Sequence, residues 1–321
     1  MKTIKWGIIG PGNIAHKFAQ GILSVPHAEL YAIASRSHTR AQDFAHKYGA
    51  TKVYDSYEDL VTDDAVDVVY VATTNNLHFE HTKMCIENNK ACLCEKPFTC
   101  NYEELIELIE LAHAKQVFLM EAMWTRFLPS ILAIEKHIQN DELGAITHIE
   151  STFGFTTEYN PDSRLYNPDL GGGALLDIGI YPVFLAQHFL GKPQKIEADV
   201  LLTDAGVDKE ESIRFYYENS VYAELQSSFI RDLPCTSTIY GTKGYITLEK
   251  MWHCPTTVIK KTGTKTEDIT PTYIGNGYNY EIEEVVCCLN SNQLESLRMS
   301  HSNSLERMKL LDEIQFLWKR K

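Results

Sequence analysis

The feature that most constrains this chain of 321 residues is a glycine-rich turn directly after its first apolar run. Ile4 to Ile9 has the pattern of a buried strand, and Gly10-Pro11-Gly12-Asn13-Ile14-Ala15 follows it at the start of an amphipathic helix. In a G-x-G-x-x-A turn the first glycine makes the bend, the second admits a pyrophosphate, and the small third residue lets helix and strand pack closely. Free N–H groups at the helix start suit phosphate oxygens. The sequence therefore predicts dinucleotide binding at Gly10, Gly12, Asn13 and Ile14.

A repeating pattern of strand, turn and amphipathic helix extends from residue 4 to about residue 121. Such a pattern is typical of a parallel sheet with crossover helices. The predicted strands are apolar runs, as expected for strands covered on both faces: Ile4–Ile9, Leu30–Ala34, Val66–Ala72, Ala91–Cys94, Val117–Met120 and a weaker Lys52–Tyr54. Capping boxes predict helix starts at Thr39 with Gln42, Ser56 with Asp59, and Asn101 with Glu104. These signals predict an α/β chain whose residues 1–121 form a doubly wound Rossmann domain.

After Trp124 the rhythm changes, because strand-like segments now follow one another with few helices between them. They are Ile146–Phe155, Lys195–Leu202, Ser212–Tyr217, Tyr222–Phe229 and Ser237–Leu248. We therefore expect residues 122–321 to form a substrate-binding α+β domain with a largely antiparallel sheet. Polar and apolar residues alternate in Ala223-Glu224-Leu225-Gln226, which predicts an open sheet face. We expect that face to form a homodimer or a higher homo-oligomer. A closing helix should bury one stripe: Leu305, Met308, Leu311, Ile314 and Leu317.

The end of the second predicted strand indicates which dinucleotide is preferred. Enzymes that prefer NAD usually offer a carboxylate there to the ribose hydroxyls, but this chain has Ser35-Arg36-Ser37. Arg36, and Arg40 one helical turn later, supply guanidinium groups suited to a 2′-phosphate. The sequence predicts NADP rather than NAD, with two solvated surface arginines as the alternative.

Charge and composition exclude several classes of partner. A formal net charge of −13 repels nucleic acid and anionic lipid at long range. No apolar stretch approaches the roughly 20 residues that span a bilayer, and the first residues lead into a strand rather than a signal peptide. We expect a cytoplasmic protein that binds a small-molecule substrate. None of the eight cysteines forms a C-x-x-C pair, so no metal is expected, and Cys92 and Cys94 should be small buried hydrophobes.

Three segments resemble the Gfo/Idh/MocA oxidoreductase family. They are Glu95-Lys96-Pro97 at the end of the fifth strand, the run from Gly171 to Pro182, and the run from Glu121 to Pro129. The last two are similar to the branch that holds dimeric dihydrodiol dehydrogenases and NADP-dependent D-xylose dehydrogenases. Tyr181 stands where inositol dehydrogenases of the family have histidine. The resemblance implies that Lys96 lies beside the nicotinamide and that the Lys96-Pro97 bond is cis.

The same resemblance extends the expected site beyond the glycine turn. Expected cofactor contacts are Ser35, Arg36, Arg40, Thr73, Asn75, His78, Glu95, Lys96, Trp124 and Arg126. Expected substrate contacts are Trp124, Phe155, Arg164, Asp177 and Tyr181. Phe155, Trp252 and Tyr278 could form the floor of a sugar or arene pocket, but core packing is the favoured interpretation of each.

Oxidation of an alcohol by hydride transfer also requires removal of the hydroxyl proton, so a base must lie near that oxygen. Tyr181 is the candidate, with Asp177 four residues earlier on the same face of a helix. A tyrosine ordinarily titrates near 10, and an ammonium such as that of Lys96 would lower its pKa, since the attraction is ~4 kcal/mol at ~4 Å. Asp177 would orient the substrate or Lys96.

These residues predict an NADP-dependent oxidoreductase that acts on a secondary alcohol or hemiacetal carbon of a sugar, polyol or vicinal diol. Two alternatives remain open. One is an NAD-dependent inositol or polyol dehydrogenase, and the other is a non-catalytic dinucleotide-binding regulator, because a fold alone does not define an activity.

Overall fold

The computed structural model describes residues 1–319, which form two compact units. The first unit contains Met1–Phe127 and Ile274–Leu305, and the second contains Leu128–Tyr273 and the described residues from 306 to 319. The sequence predicted a single division after residue 121. The chain instead returns to the first unit, where a late helix packs on the first one so closely that a Cβ on Gly21 would lie 3.0 Å from the Tyr278 Cβ.

The first unit is built on a six-stranded parallel sheet with the order β3-β2-β1-β4-β5-β6, which confirms the predicted Rossmann topology. Its strands are β1 Ile4–Ile9, β2 Ala28–Ala34, β3 Lys52–Tyr54, β4 Val68–Val71, β5 Ala91–Glu95 and β6 Leu119–Ala122. The central strands β1, β4 and β5 are almost wholly buried, because helices cover both faces. Cys92 and Cys94 are buried as predicted.

The helices of this unit are α1 Asn13–Ile22, α2 His38–Tyr48, α3 Tyr57–Thr62, α4 His78–Glu87, α5 Tyr102–Lys115 and, late in the chain, α8 Tyr278–Asn290. Two predicted caps are confirmed, since Ser56 Oγ accepts the Asp59 N–H at 3.0 Å and Asn101 Oδ1 accepts the Glu104 N–H at 2.9 Å. The cap predicted at Thr39 is wrong. Ser37 is extended and already precedes the first turn of α2, so Thr39 lies inside the helix.

The second unit contains an eight-stranded sheet with the order β14-β13-β12-β11-β7-β10-β9-β8. Its strands are β7 Ile146–Gly154, β8 Lys195–Leu202, β9 Asp208–Tyr216, β10 Tyr222–Ser228, β11 Ser237–Gly241, β12 Gly244–Leu248, β13 Val258–Thr262 and β14 Lys265–Asp268. Within the described residues, β7 and β10 pair in parallel and the other neighbours are antiparallel, which confirms the predicted sheet type. The segment 237–248, predicted as one strand, is a hairpin that turns between Gly241 and Gly244.

Helices α6 Pro129–Gln139 and α7 Ile180–Leu190 belong to the second unit, and α9 is His301–Lys319. On α9, Met308, Leu311 and Ile314 are buried, whereas Leu305 and Leu317 are only half-buried.

One helical run in residues 1–319, Pro168–Leu190, has the length and composition of a membrane span, contrary to the sequence prediction. Its most apolar window is 83% buried inside the protein, as in the core helix of a globular unit.

One face of the eight-stranded sheet packs on α7, and the other carries half-buried aromatic and charged side chains. The His148 ring is stacked between Tyr222, at 4.9 Å, and Tyr240, at 4.1 Å. The Arg214 guanidinium lies 4.7 Å from the Tyr222 ring. On β10, Ala223 and Leu225 are buried while Glu224 and Gln226 are half-buried, so the predicted alternation is confirmed.

Candidate active site

The glycine turn after β1 has the shape that a dinucleotide phosphate requires. Gly10 has a φ of 87°, and a Cβ there would lie 3.0 Å from the Ala72 carbonyl oxygen. A Cβ on Gly12 would meet only that oxygen, at 4.0 Å, so the space beside Gly12 is open. Among the described residues, no side chain caps the start of α1 and none in its first turn is acidic. The N–H groups of this helix start are therefore suited to an anion, with exposed Asn13 and half-buried Ile14 beside them.

Two arginines lie at the next strand end. Ser35 is buried, and its Oγ accepts the Ser37 N–H at 3.1 Å, which shapes the turn after β2. Arg36 is exposed, and Arg40 Nη2 donates to the Pro11 carbonyl oxygen at 3.2 Å. The Arg40 guanidinium thus reaches the glycine turn itself. This arrangement fits a phosphate group on the ribose beside that turn.

His78 connects the loop after β4 to the loop after β5. Its Nδ1 lies 2.7 Å from the Pro97 carbonyl oxygen, and its Nε2 lies 3.1 Å from the Thr73 carbonyl oxygen. Burial lowers the pKa of His78 to about 4, which favours the neutral ring. The sequence predicted that His78 contacts the cofactor. The ring is buried with both nitrogens facing backbone carbonyls, so it holds together the two loops that carry Thr73, half-buried Asn75 and Lys96. Its contact with the cofactor stays a prediction.

Lys96 directly follows β5, at the same carboxyl edge of the sheet as the glycine turn. The Lys96-Pro97 bond is cis, as the family resemblance implied. Lys96 is half-buried, between the buried residues Glu95 and Pro97. Parallel α/β sheets bind their ligands at this edge, so Lys96 is placed where a cofactor and a reacting group would meet.

Buried carboxyl groups lie behind Lys96. Glu95 accepts a hydrogen bond from the Tyr70 hydroxyl and, at 3.2 Å, from the Lys96 N–H. Its side chain therefore supports the Lys96 backbone from the core. The cofactor contact expected of Glu95 stays a prediction. Burial raises the pKa of Glu95, although the Lys96 charge opposes this. Glu281 on α8 is fully buried, and among the described residues neither of its oxygens has a hydrogen-bond partner. Burial and then the Glu95 charge raise the pKa of Glu281 well above its usual value.

The segment after β6 is anchored within the first unit. It forms a short 3-10 turn, Trp124–Phe127, in which the Trp124 ring stacks on Tyr278 at 4.3 Å. Arg126 Nε donates to the Arg298 carbonyl oxygen at 2.8 Å. The stack holds the Trp124 ring in place, and the hydrogen bond holds the Arg126 guanidinium. The cofactor contacts expected of both side chains stay predictions. Tyr278 is buried in this stack, in agreement with its interpretation as a core aromatic.

In the second unit, a glycine run brings together a loop and a helix start. Gly171 and Gly173 have φ values of 71° and 137°, and a Cβ on Gly172 would lie 2.8 Å from the carbonyl oxygens of both Leu165 and Asn167. The run therefore packs on the loop that carries Arg164. Arg164 Nη1 donates to Asp177 Oδ1 at 2.9 Å.

The helix that carries Asp177 and Tyr181 begins with a π-helical turn, Leu175–Gly179, and becomes α-helical at Ile180. The sequence predicted an ordinary helix. The wider turn changes the angular relation of Asp177 to Tyr181 from that of an α-helical pair, and π-helical turns are frequent at functional sites. Both residues are nearly buried, at 8% and 7% exposure, so each is accessible at one edge only.

Aromatic rings surround Tyr181 within the second unit. The Phe153 ring lies 5.6 Å from it and the His253 ring 5.2 Å, and these two stack on each other at 4.2 Å. Trp252 meets Tyr181 edge-on at 6.5 Å and is fully buried, as a core residue would be. Phe155, a predicted substrate contact, is half-buried and lies 6.5 Å from Phe153. Sequence reasoning missed Phe153 and His253, because only the fold brings the loop with His253 to the end of β7.

The titratable side chains do not form a metal centre in residues 1–319. No group of three or more His, Cys, Asp or Glu side chains there has the geometry to hold an ion. The charged groups of the first unit's candidate residues belong instead to Lys96, Arg36 and Arg40. Those of the second unit's candidate residues belong to Arg164 and Asp177.

Comparison with known proteins gives consistent matches over both units. The model of an oxidoreductase family with an NAD-binding Rossmann fold matches residues 4–123, and the model of the GFO/IDH/MocA C-terminal domain matches residues 131–247. A trans-1,2-dihydrobenzene-1,2-diol dehydrogenase of Danio rerio is 35% identical over 97% of this chain and 96% of its own length.

Two solved structures share the fold over almost the whole chain. One is a 3-ketoreductase from Actinomadura kijaniata in complex with NADP and TDP-benzene, which is 24% identical, covers 98% of both chains and has a TM-score of 0.87. The other is a levoglucosan dehydrogenase in complex with NADH and L-sorbose, which is 19% identical, covers 100% of this chain and 98% of its own, and has a TM-score of 0.88.

Proposed function

The chain belongs to the Gfo/Idh/MocA oxidoreductase family, and on this premise we propose that it is an NADP-dependent dehydrogenase of a sugar, polyol or vicinal diol. The proposed reaction moves a hydride between nicotinamide and a secondary alcohol or hemiacetal carbon. The observation that carries this proposal is the second unit's pair of nearly buried polar residues, Asp177 and Tyr181, with Asp177 bonded to Arg164. A similar relative named as a dihydrodiol dehydrogenase supports the diol class.

The choice of NADP rests on the two arginines beside the glycine turn. The solved neighbours hold NADP in one case and NADH in the other, so they do not decide between the cofactors. In this chain Arg40 contacts the turn directly and Arg36 is exposed at the end of β2. Two guanidinium groups favour a 2′-phosphate over bare ribose hydroxyls.

When bound, the nicotinamide supplies or accepts the hydride. The residues of the chain must then orient the substrate and move the hydroxyl proton. We assign proton transfer to Tyr181, because its phenol can exchange a proton and is held by the rings of Phe153 and His253. Asp177, fixed by Arg164, would orient the hydroxyl. In the first unit, Lys96 follows β5 at the edge where parallel α/β sheets bind their ligands, so we assign it to the nicotinamide.

The surroundings of Tyr181 fit the proposed substrate class. The stacked rings of Phe153 and His253 offer an apolar wall, while Asp177 and Arg164 offer hydrogen-bonding groups on the same unit. Small-molecule sites commonly combine apolar walls with a few such polar groups. A sugar ring has apolar C–H faces and hydroxyl edges, and a dihydrodiol has an apolar ring beside two hydroxyls.

Steady-state turnover of an aldose, a polyol and a trans-dihydrodiol, each with NADP and with NAD, tests the proposal. We expect NADP-dependent oxidation of at least one member and tighter binding of NADPH than of NADH by nicotinamide fluorescence. Preference for NAD with inositol or another polyol would favour the NAD-dependent alternative. Tight binding of NADPH without any turnover would favour the regulator.

We also propose that the open face of the second unit's sheet forms a homodimer. On this face the half-buried rings of Tyr222, His148 and Tyr240 form a continuous stack, which a second copy of the chain could cover. Arg214 and Glu224 form a 3.1 Å ion pair beside them, so the face offers both charges to a two-fold copy of itself.

A further inference from the structure

Strand β9 begins with an irregularity that changes the direction of its first side chains. Leu201 on β8 pairs with Glu210, but the next residue, Leu202, pairs with Asp208, so Lys209 is an extra residue in the ladder. In a regular strand Asp208 and Glu211 would face opposite sides of the sheet, because side chains alternate. The extra residue places both on the buried side, at 7% and 1% exposure. Bulges of this kind re-aim side chains and are frequent beside active sites.

Asp208 contacts the start of the helix that carries Asp177 and Tyr181. Its Oδ2 accepts the Leu175 N–H at 2.6 Å. A Cβ on Gly173 would lie 2.4 Å from Asp208 Oδ1, so the carboxylate occupies the space that the missing side chain leaves. A carboxylate at a helix start is stabilised by the free N–H groups and the helix dipole. Asp208 therefore fixes the beginning of the π-helical turn.

Glu211 contacts the other end of the same turn. A Cβ on Gly179 would lie 2.4 Å from Glu211 Oε1 and 3.0 Å from Ser227 Oγ, so this glycine also leaves a notch that a carboxyl group enters. Gly173 lies two residues before the turn Leu175–Gly179, and Gly179 is its last residue. The space left by the missing side chain at each glycine is filled by an acid of β9. Asp177 lies between the two contacts, and Tyr181 lies two residues beyond the second.

The two acids differ in their electrostatic surroundings. Burial and then the charge of Asp208 raise the pKa of Glu211 well above its usual value, which favours a neutral carboxylic acid. Among the described residues, neither Glu211 oxygen has a hydrogen-bond partner of good geometry. A buried polar group without such a partner destabilises the folded state, whereas a leucine or methionine of similar size would pack there without that cost. The acid is thus poorly explained by stability alone.

We propose that Asp208 and Glu211 are positioning residues for the reaction. They set the orientation of Asp177 and Tyr181 because they contact the two ends of the π-helical turn. This role rests on the proposed function. Neither acid is assigned a contact with substrate or cofactor. Their effect passes through the backbone of the turn, where a displacement of ~1 Å can cost ~100-fold in rate.

The test compares Glu211→Gln with Glu211→Asp. Glutamine keeps the length and neutrality of the acid, so kcat should remain within ~2-fold of wild type. Aspartate withdraws the carboxyl group from Gly179 by one methylene, and we expect kcat to fall ~10- to 100-fold. The dissociation constant for NADPH should not change, because the first unit binds the phosphates. Glu210→Asp is the matched control. That neighbouring acid bonds to Arg231 at 2.5 Å and to Ser228, and its shortening should leave kcat unchanged.

Gly179→Ala is the reciprocal probe, because its new Cβ enters the space of Glu211 Oε1. It should lower kcat as Glu211→Asp does, and the double variant should recover part of the loss, since the shorter acid makes room for the methyl group. Loss of kcat in proportion to loss of thermal stability, equal losses in Glu211→Asp and Glu210→Asp, or wild-type kcat in Glu211→Asp would each overturn the proposal.

Hydrogen exchange of the peptide 170–182, measured without substrate, separates this proposal from the proposed function. Glu211→Asp should exchange faster than wild type there, and Glu211→Gln should not. If the wild-type enzyme oxidises none of the substrates, the proposed function fails and the positioning role fails with it. Unchanged exchange and unchanged kcat in an active Glu211→Asp enzyme would instead reject the positioning role alone.

Discussion

Arg164 Nη1 lies 2.9 Å from Asp177 Oδ1 in the second unit, and this bond joins an irregular loop to the start of a core helix. The two partners are unequal, since the Arg164 side chain is 57% exposed and that of Asp177 is 11% exposed. Arg164 is thus the partner that can move. Its position depends on Gly172, whose lack of a side chain lets the loop pack against the glycine run.

We expect Arg164→Ala to lower kcat/KM by ~10-fold, chiefly by raising KM, because Asp177 loses the group that fixes its carboxylate. The estimate is at the low end for a charged hydrogen bond, since water screens an exposed arginine. Arg231→Ala removes a comparably exposed arginine from an ion pair with Glu210 and is the control. A similar loss of kcat/KM in both variants would mean that Arg164 acts only through the net charge of the protein and not through its bond to Asp177.

Arg36→Ala should weaken NADPH binding by ~1.5 to 3 kcal/mol and leave NADH binding nearly unchanged, because only NADPH offers a 2′-phosphate. Nicotinamide fluorescence titration measures both constants. Lys47→Ala is the matched control, since it removes an exposed positive charge from the last turn of α2, the helix that follows the Arg36 turn. If both cofactors lose affinity equally in Arg36→Ala, the arginine does not select the phosphate.

Tyr181→Phe should lower kcat by ~10² to 10⁴, because the phenol is the proposed proton-transfer group, while the ring keeps its packing against Phe153 and His253. NADPH affinity should change little. Lys96→Met should also lower kcat, because Lys96 follows β5 at the edge of the parallel sheet where a ligand binds. A Tyr181→Phe enzyme within ~3-fold of wild type would assign the proton to another group.

His78 should make the stability of the first unit depend on pH. Its folded pKa of about 4 lies below the ordinary value of 6.5. Between these values the unfolded chain binds a proton that the folded chain does not, so stability is present above pH 6.5 and is lost as the pH falls toward 4. The loss is ~3 kcal/mol.

Urea denaturation at pH 7 and pH 4.5 measures this loss. The difference between the two pH values should be smaller in His78→Gln than in wild type, because glutamine does not titrate. His46→Gln, at the exposed end of α2, should retain the wild-type difference. Equal differences in all three proteins would contradict the assignment.

Light scattering at micromolar concentration should give twice the 36.5 kDa mass of the chain. Tyr240→Glu should shift the protein toward monomer, since it breaks the stack on His148 and places a second acid near Glu150, whose carboxylate Tyr240 now contacts at 3.2 Å. Tyr159→Glu changes an exposed tyrosine of the same unit outside the sheet and should leave the mass unchanged. A monomeric wild-type protein would reject the dimer.

Local signals in the sequence were sufficient for the first unit's sheet. Apolar runs predicted five of the six parallel strands, because strands buried on both faces must be apolar along their length. The sixth, Lys52–Tyr54, is not buried and gave the weaker signal. The glycine turn and the helix caps at Ser56 and Asn101 could also be predicted from the sequence, since each depends only on residues within one turn of the chain. Family resemblance added Lys96, Asp177 and Tyr181, whose roles no periodicity indicates.

The tertiary structure alone decided what depends on distant segments. The bulge at Lys209 is set by pairing with β8, and it alone places Asp208 and Glu211 under the turn of Asp177. His253 reaches Tyr181 from a loop that carries no motif. The return of α8 to the first unit likewise follows from packing on α1. A local pattern records which faces are buried, whereas register, bulges and loop paths are decided by contacts among residues far apart in the chain.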